Sequence, residues 1–187
     1  MSTPKIFDES NAPEAARPLL AQARAKYGFV PNLLGLMAAS PPLLEAYVAV
    51  SAAFDKTRLS PVEKQLVLLQ ASFDNGCDYC MAAHSTVAGM VEMPDDVLAA
   101  LRTGGPIADP KLQALRRFVS AVVDKRGWPS DHDRKAFLAA GYSETQAMDV
   151  LVGIGQKTLS NYTNHMHETP LDKAFEAAAW SRPASAA

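Results

Sequence analysis

Residues 60–73 read SPVEKQLVLLQASF, and no other stretch limits the fold as strongly. Ser60 suits an N-cap, Pro61 suits the first helical position, and Glu63 stands three residues after the serine, so a capping box opens the run. The run is continuously apolar from Leu66 to Leu69, which predicts a central, buried helix that ends at the turn-forming Asp74-Asn75-Gly76. The same grammar recurs along the chain. Ser40 with Pro41 and Pro42 starts a helix to about 56, Ser130 caps one over 131–139, and a second capping box at Ser143 leads into 144–167. Further helices are expected over 18–27, 32–39 with Asn32 as cap, 94–102, 109–126 and 170–180. No stretch shows convincing strand alternation. The expected fold is all-α: a single helical domain over 18–180, an extended arm over 1–17 and a frayed tail over 181–187.

Composition narrows the function classes. A net charge of -2 and a pI near 6.1 offer no attraction for a polyanion, so no nucleic-acid partner is expected. No apolar run reaches bilayer length, and the first residues lack the basic-then-apolar pattern of a secretory signal. A cytoplasmic protein without a membrane partner is the expectation. Both cysteines of the chain lie in NGCDYCMAAH at 75–84, three residues apart. In a reducing compartment such a pair suggests redox chemistry or a metal site. A metal is disfavoured, because zinc sites usually show two close ligand pairs and here only one is present, with His84; His165 and His167 are distant in sequence.

A helix starting near Cys77 places Cys80 roughly above it and His84 on the same side one turn further on. The N-terminal end of the helix favours a thiolate, and the imidazole could exchange a proton with Cys80. A nucleophile, a resolving thiol and a base thus fall within eight residues.

At this point the residues resemble a known family. EKQLVLLQASFDNGCDYCMAAH is similar to the core of the carboxymuconolactone decarboxylase superfamily, in its alkylhydroperoxidase D-like, peroxidase-related branch, whose element is C-x-x-C-x-x-x-H. FVPNLL before it and SNYTNHMHETPLD at 160–172 extend the resemblance over roughly 25–175. The resemblance implies an all-helical fold that assembles as a homo-oligomer, a trimer or hexamer, and a thiol peroxidase needing no cofactor. Cys80 would attack a hydroperoxide, Cys77 would condense with the sulfenic acid, and an external dithiol or thioredoxin-like reductant would reopen the disulfide. His84 would relay protons.

Two positions depart from the family's pattern. Its relay glutamate falls on Gln65 here, with Glu63 as the nearest acid, and the histidine before its second cysteine is replaced by Tyr79. Glu63, Tyr79 and His165 are therefore the candidates for a rewired relay. Two other readings stand beside the peroxidase: a redox-responsive binding or scaffold oligomer without turnover, and a lactone decarboxylase-like acid/base enzyme on the same fold.

Overall fold

The computed structural model describes residues 5–183, and its regular elements there are all helical. They are α1 (Arg17–Tyr27), α2 (Asn32–Met37), α3 (Pro41–Asp55), α4 (Pro61–Asp74), α5 (Asp78–Met90), α6 (Asp95–Thr103), α7 (Pro110–Asp124), α8 (Asp131–Ala139) and α9 (Glu144–His167). Short 3-10 turns at Glu14–Ala16 and Lys173–Ala178 flank them. No helix among the described residues is long and apolar enough to cross a membrane.

The capping box at Ser60 forms: Glu63 N–H donates to Ser60 Oγ at 3.2 Å, and Ser60 N–H to Glu63 Oε2 at 2.7 Å. From there α4 runs through the middle of the molecule, packed by α5, α6, α7 and α9. Leu66, Val67 and Leu69 are fully enclosed, as a continuously apolar helix requires. The helix ends in a Schellman turn, with Cys77 N–H bonded to Ser72 O and Gly76 N–H to Phe73 O. Gly76 sits at φ 66°, a conformation open to glycine at little cost. That one turn delivers Cys77 as the N-cap of α5.

Two apolar clusters meet at α5. Met81 and Ala88 face the bundle built on α4. Cys77, Tyr79 and Cys80 face the other way, into a cluster with Ala12, Ala16, Leu20, Leu33 and Met37. Residues expected to be an extended arm therefore form a cover. A turn over Asp8–Ala12 and the 3-10 turn at Glu14–Ala16 put Ala12 and Ala16 inside, the latter turn packing on α1 and α3 in the cluster that also holds the cysteines. The parts of the arm and tail at 1–4 and 184–187 lie outside the described residues.

The C-terminal segment straps this cover down. Tyr79 donates to Asp172 Oδ2 at 2.5 Å and accepts from Leu33 N–H at 3.3 Å. Asp172 also accepts from Asn32 N–H at 3.1 and 3.2 Å. Asn32 is thus the first residue of α2 and not its cap; an aspartate from the far end of the chain performs the capping. Arg102 holds Ala178 O and Ala179 O at 3.0 and 2.9 Å. Those carbonyls are turned toward the guanidinium, and in place of the helix expected over 170–180 only the 3-10 turn forms.

Two substitutions test this packing. A Cβ at Gly153 of α9 would stand 2.8 Å from Phe54 Cε2 and from Val67 Cγ1. Gly153→Ala gains about 1 kcal/mol of helix propensity, but overpacking costs about 1–3 kcal/mol, so a net loss is expected in urea unfolding. Tyr79→Phe removes the hydroxyl between Asp172 and Leu33, both buried. A loss of about 1–3 kcal/mol is expected in the same measurement.

Candidate functional site

Both sulfurs are buried, with Cys77 1% and Cys80 2% exposed, and both thiols are free. Across from them runs α9. Its residues Lys157, Ser160, Asn161 and Asn164 recur at i, i+3, i+4 and i+7, so they form one stripe of the helix, and all four are buried. Asn164 Nδ2 donates to Cys80 Sγ at 3.2 Å and to Cys77 Sγ at 3.6 Å. Ser160 Oγ lies 3.7 Å from Cys80 Sγ. Asn161 fixes the turn before the cysteines by accepting from Asn75 Nδ2 at 2.9 Å.

Lys157 is the centre of the arrangement. It is 1% exposed, and no carboxylate is within ion-pair distance of it among the described residues. Its ammonium lies 3.0 Å from His84 Nε2 and is near enough to Cys80 for the two to favour each other's charged form. Burial alone would push Lys157 down, yet the negative charge available at Cys80, with Tyr47 and Cys77, outweighs burial and holds it up. Burial likewise opposes a thiolate at Cys80. Hydrogen bonding from Cys77, the Lys157 charge and the Ser160 hydroxyl overcome that and bring Cys80 well below the ordinary thiol range. Cys77 moves the other way, chiefly because it donates its S–H to Cys80 and is itself buried. The surroundings therefore favour the anion at Cys80 and the proton at Cys77.

His84 is held neutral. Burial and the neighbouring Lys157 push its pKa well down. Its Nδ1 is 3.0 Å from Gln65 Oε1, which only accepts, and its Nε2 faces the ammonium, which only donates. The tautomer with the proton on Nδ1 follows from these partners. Gln65, at the position of the family's relay glutamate, thus touches the histidine as an orienting amide.

The sequence candidates separate. Cys77, Cys80 and His84 come together with Gln65. Glu63 does not join them; its carboxylate is engaged by Ser60 N–H and lies 3.4 Å from Lys111 Nζ at the far side of α4. Tyr79 points away from the sulfur–lysine contact to Asp172, and burial followed by that carboxylate pushes its phenol up. His165 is exposed on α9, near Asp78. Among the described residues no cluster of His, Cys, Asp or Glu could hold a metal. Lys157, Ser160 and Asn164 escaped sequence reading, which took 144–167 as an ordinary amphipathic helix. The signal was present: QKTLSNYTN places polar residues at core spacing and leaves Tyr162 and Met166 on the outer face, where they are exposed.

A pocket of about 380 Å³ is lined by Tyr27, Tyr47, Phe54 and Leu68, by Gln65, His84 and Gln156, and by the charged Lys26, Asp55 and Lys64. His84 connects this lining to Lys157, whose Nζ is 3.0 Å from its Nε2. Two buried acceptors on the same stretch of α9, Gln156 Oε1 and Asn164 Oδ1, have no hydrogen-bond partner.

Residues 41–121, from α3 into α7, match the model of the carboxymuconolactone decarboxylase family. No curated protein matches the sequence. Among solved structures, an alkylhydroperoxidase core from Ralstonia eutropha JMP134, an uncharacterized peroxidase-related protein, superposes with a TM-score of 0.80 at 22% identity. It covers 91% of this chain and 92% of its own. The debrominase Bmp8 superposes at 0.79 with 20% identity over 95% of this chain and 96% of its own. A cysteine-to-alanine variant of that enzyme was crystallised with 2,3,4-tribromopyrrole. A peroxidase-related protein from Silicibacter sp. TM1040 gives 0.77 at 17% identity, over 94% and 92%. These identities speak for the fold, and the match over 41–121 contains the cysteine helix itself. Residues 41–121 are thus similar to the carboxymuconolactone decarboxylase family, and the chain has the fold of alkylhydroperoxidase D-like proteins.

Proposed function

We propose that this protein is a thiol peroxidase that reduces organic hydroperoxides. The observation that carries the reading is the burial of two adjacent free thiols against one stripe of α9, where the Asn164 amide donates to Cys80 Sγ at 3.2 Å and the Lys157 charge favours its thiolate. A thiolate is the form that attacks a peroxide, and a neighbouring protonated thiol is the form that resolves the sulfenic acid. Cys80 attacks the terminal oxygen, and Cys77 then condenses with the sulfenic acid to give a disulfide and water. An external dithiol, small or carried by a thioredoxin-like protein, returns the electrons by exchange. The pocket's aromatic and aliphatic walls suit the organic part of the substrate, while the unpartnered Gln156 Oε1 and Asn164 Oδ1 are acceptors for the peroxide O–H.

A second reading keeps the same parts: thiolate-driven removal of halogen from a small aromatic ring. The flat walls of Tyr27, Tyr47 and Phe54 favour it, and the debrominase shares the fold. Incubation with a bromopyrrole and a dithiol, read as bromide release, separates the two.

We also propose a homo-oligomer, with a second copy of this chain covering the outer face of α9. Met148, Leu151, Tyr162 and Met166 leave that face exposed and apolar. Tyr162→Asp is expected to shift sedimentation toward the single chain.

With cumene hydroperoxide and dithiothreitol, Cys80→Ser is expected to abolish turnover. Cys77→Ser should stop at one oxidation per chain, leaving a sulfenic acid that dimedone traps. Peroxide consumption by Cys80→Ser would sink the reading. Because Cys80 lies well below the ordinary thiol range, the rate constant for its oxidation should stay flat between about pH 7 and 8. A thiol with the reference pKa of about 8.5 would quicken several-fold over the same unit.

A further inference from the structure

Lys157 has a buried cation's usual difficulty and an unusual solution to it. From α5 it faces Cys77, Cys80 and His84, and from α3 it faces Tyr47. Cys77 keeps its proton, His84 is neutral, and burial pushes the Tyr47 phenol up, so Cys80 is the anion opposite it. The catalytic cycle turns that anion into one half of a disulfide. The cation would then be left in a buried site with only neutral neighbours, where its charge is unfavourable.

We propose that Lys157 is the acid of the reaction: it gives its proton to the departing alkoxide and stays a neutral amine until the disulfide is reduced. The proposal rests on the peroxidase reading. As Cys80 Sγ bonds to the terminal oxygen the O–O bond breaks, and the electron pair leaves on RO⁻. The Lys157 proton converts RO⁻ to ROH, leaving Cys80–SOH and the amine. The S–S bond then forms, the hydroxyl leaves from Cys80, and the Cys77 proton completes a water molecule. A dithiol donor returns two electrons and two protons, one to Cys77 and one to Lys157. His84 accepts from Lys157 at 3.0 Å and also lines the pocket, so it can orient the amine without competing as a second cation.

The test is a proton count. The reduced full-length protein is mixed with one equivalent of cumene hydroperoxide in weak buffer with a pH indicator, near neutral pH. Thiolate ultraviolet absorbance and free thiols are followed together. If Lys157 surrenders its proton, thiolate absorbance vanishes, one disulfide forms and no proton is taken from solvent. Uptake of one proton per disulfide, or no thiolate absorbance before oxidation, overturns the proposal. The same count with diamide needs no peroxide chemistry. An inert reaction with peroxide alongside zero uptake with diamide would remove the peroxidase reading and keep the coupling of Lys157 to the disulfide.

Lys157→Met supplies the kinetic arm; Cys80, deprived of its partner, can take up a proton, so the thiolate fraction of the variant is read from its ultraviolet absorbance and a folded variant is confirmed by circular dichroism. Per unit of thiolate, its rate with cumene hydroperoxide should fall by about 10²–10⁴, the usual worth of a positioned acid. Peracetic acid, whose carboxylate departs without help, should lose far less. Equal losses on both would leave Lys157 as a counter-ion only and overturn its role as the acid.

Discussion

An ammonium group placed where water cannot reach it must find an anion, and in this protein the anion is a sulfur. Without that pairing Lys157 would discharge, and burial would raise Cys80 into the range of an unreactive thiol. Neither group makes sense alone. Buried ion pairs are poor investments in stability, since an apolar pair of the same volume does as well or better. This pair is better understood as a store of reactivity, held by a scaffold whose stability comes from the apolar bundle around α4.

The scaffold serves the pair in two ways. The Schellman turn at Gly76 brings α5 back alongside α4, so that Gln65 reaches His84 and fixes its ring. The cover made by the N-terminal segment, α1 and α2, tied by Tyr79, Asp172 and Asn32, closes the other side. Excluding water strengthens every charge–dipole contact inside. The pocket at Tyr47 and His84 borders the buried site through the His84 ring.

The sequence was informative where chemistry is local. Ser60, Pro61 and Glu63 announce α4, and α8 and α9 begin at their capping serines, because caps and first-turn prolines act within four residues. The cysteine–histidine spacing was legible for the same reason. Lys157 was not, because its meaning comes from 73 positions away in the chain, at His84. Asp172 was hidden likewise: a carboxylate that caps a helix 140 residues earlier leaves no local mark. Glu63 looked like a relay acid by proximity along the chain. Its carboxylate belongs to the capping box and to Lys111, on the opposite side of the helix from Gln65.

Position along α5 and partners across it pull the two cysteines in opposite directions. Cys77, as N-cap, sits nearer the positive end of the helix, an advantage of about 0.3–1 kcal/mol for a thiolate. Cys80 has the shorter Asn164 contact, the Ser160 hydroxyl and the Lys157 ammonium, and a hydrogen bond to a charged group contributes about 1.5–3 kcal/mol. The side chains of α9 outweigh the dipole, and the anion settles on the second cysteine. At the first, its contact with Cys80 and its burial favour the protonated form. On the chemistry proposed for the pair, the roles of attacker and resolver are thus assigned by α9, which crosses behind the motif, and not by the order of the cysteines within it.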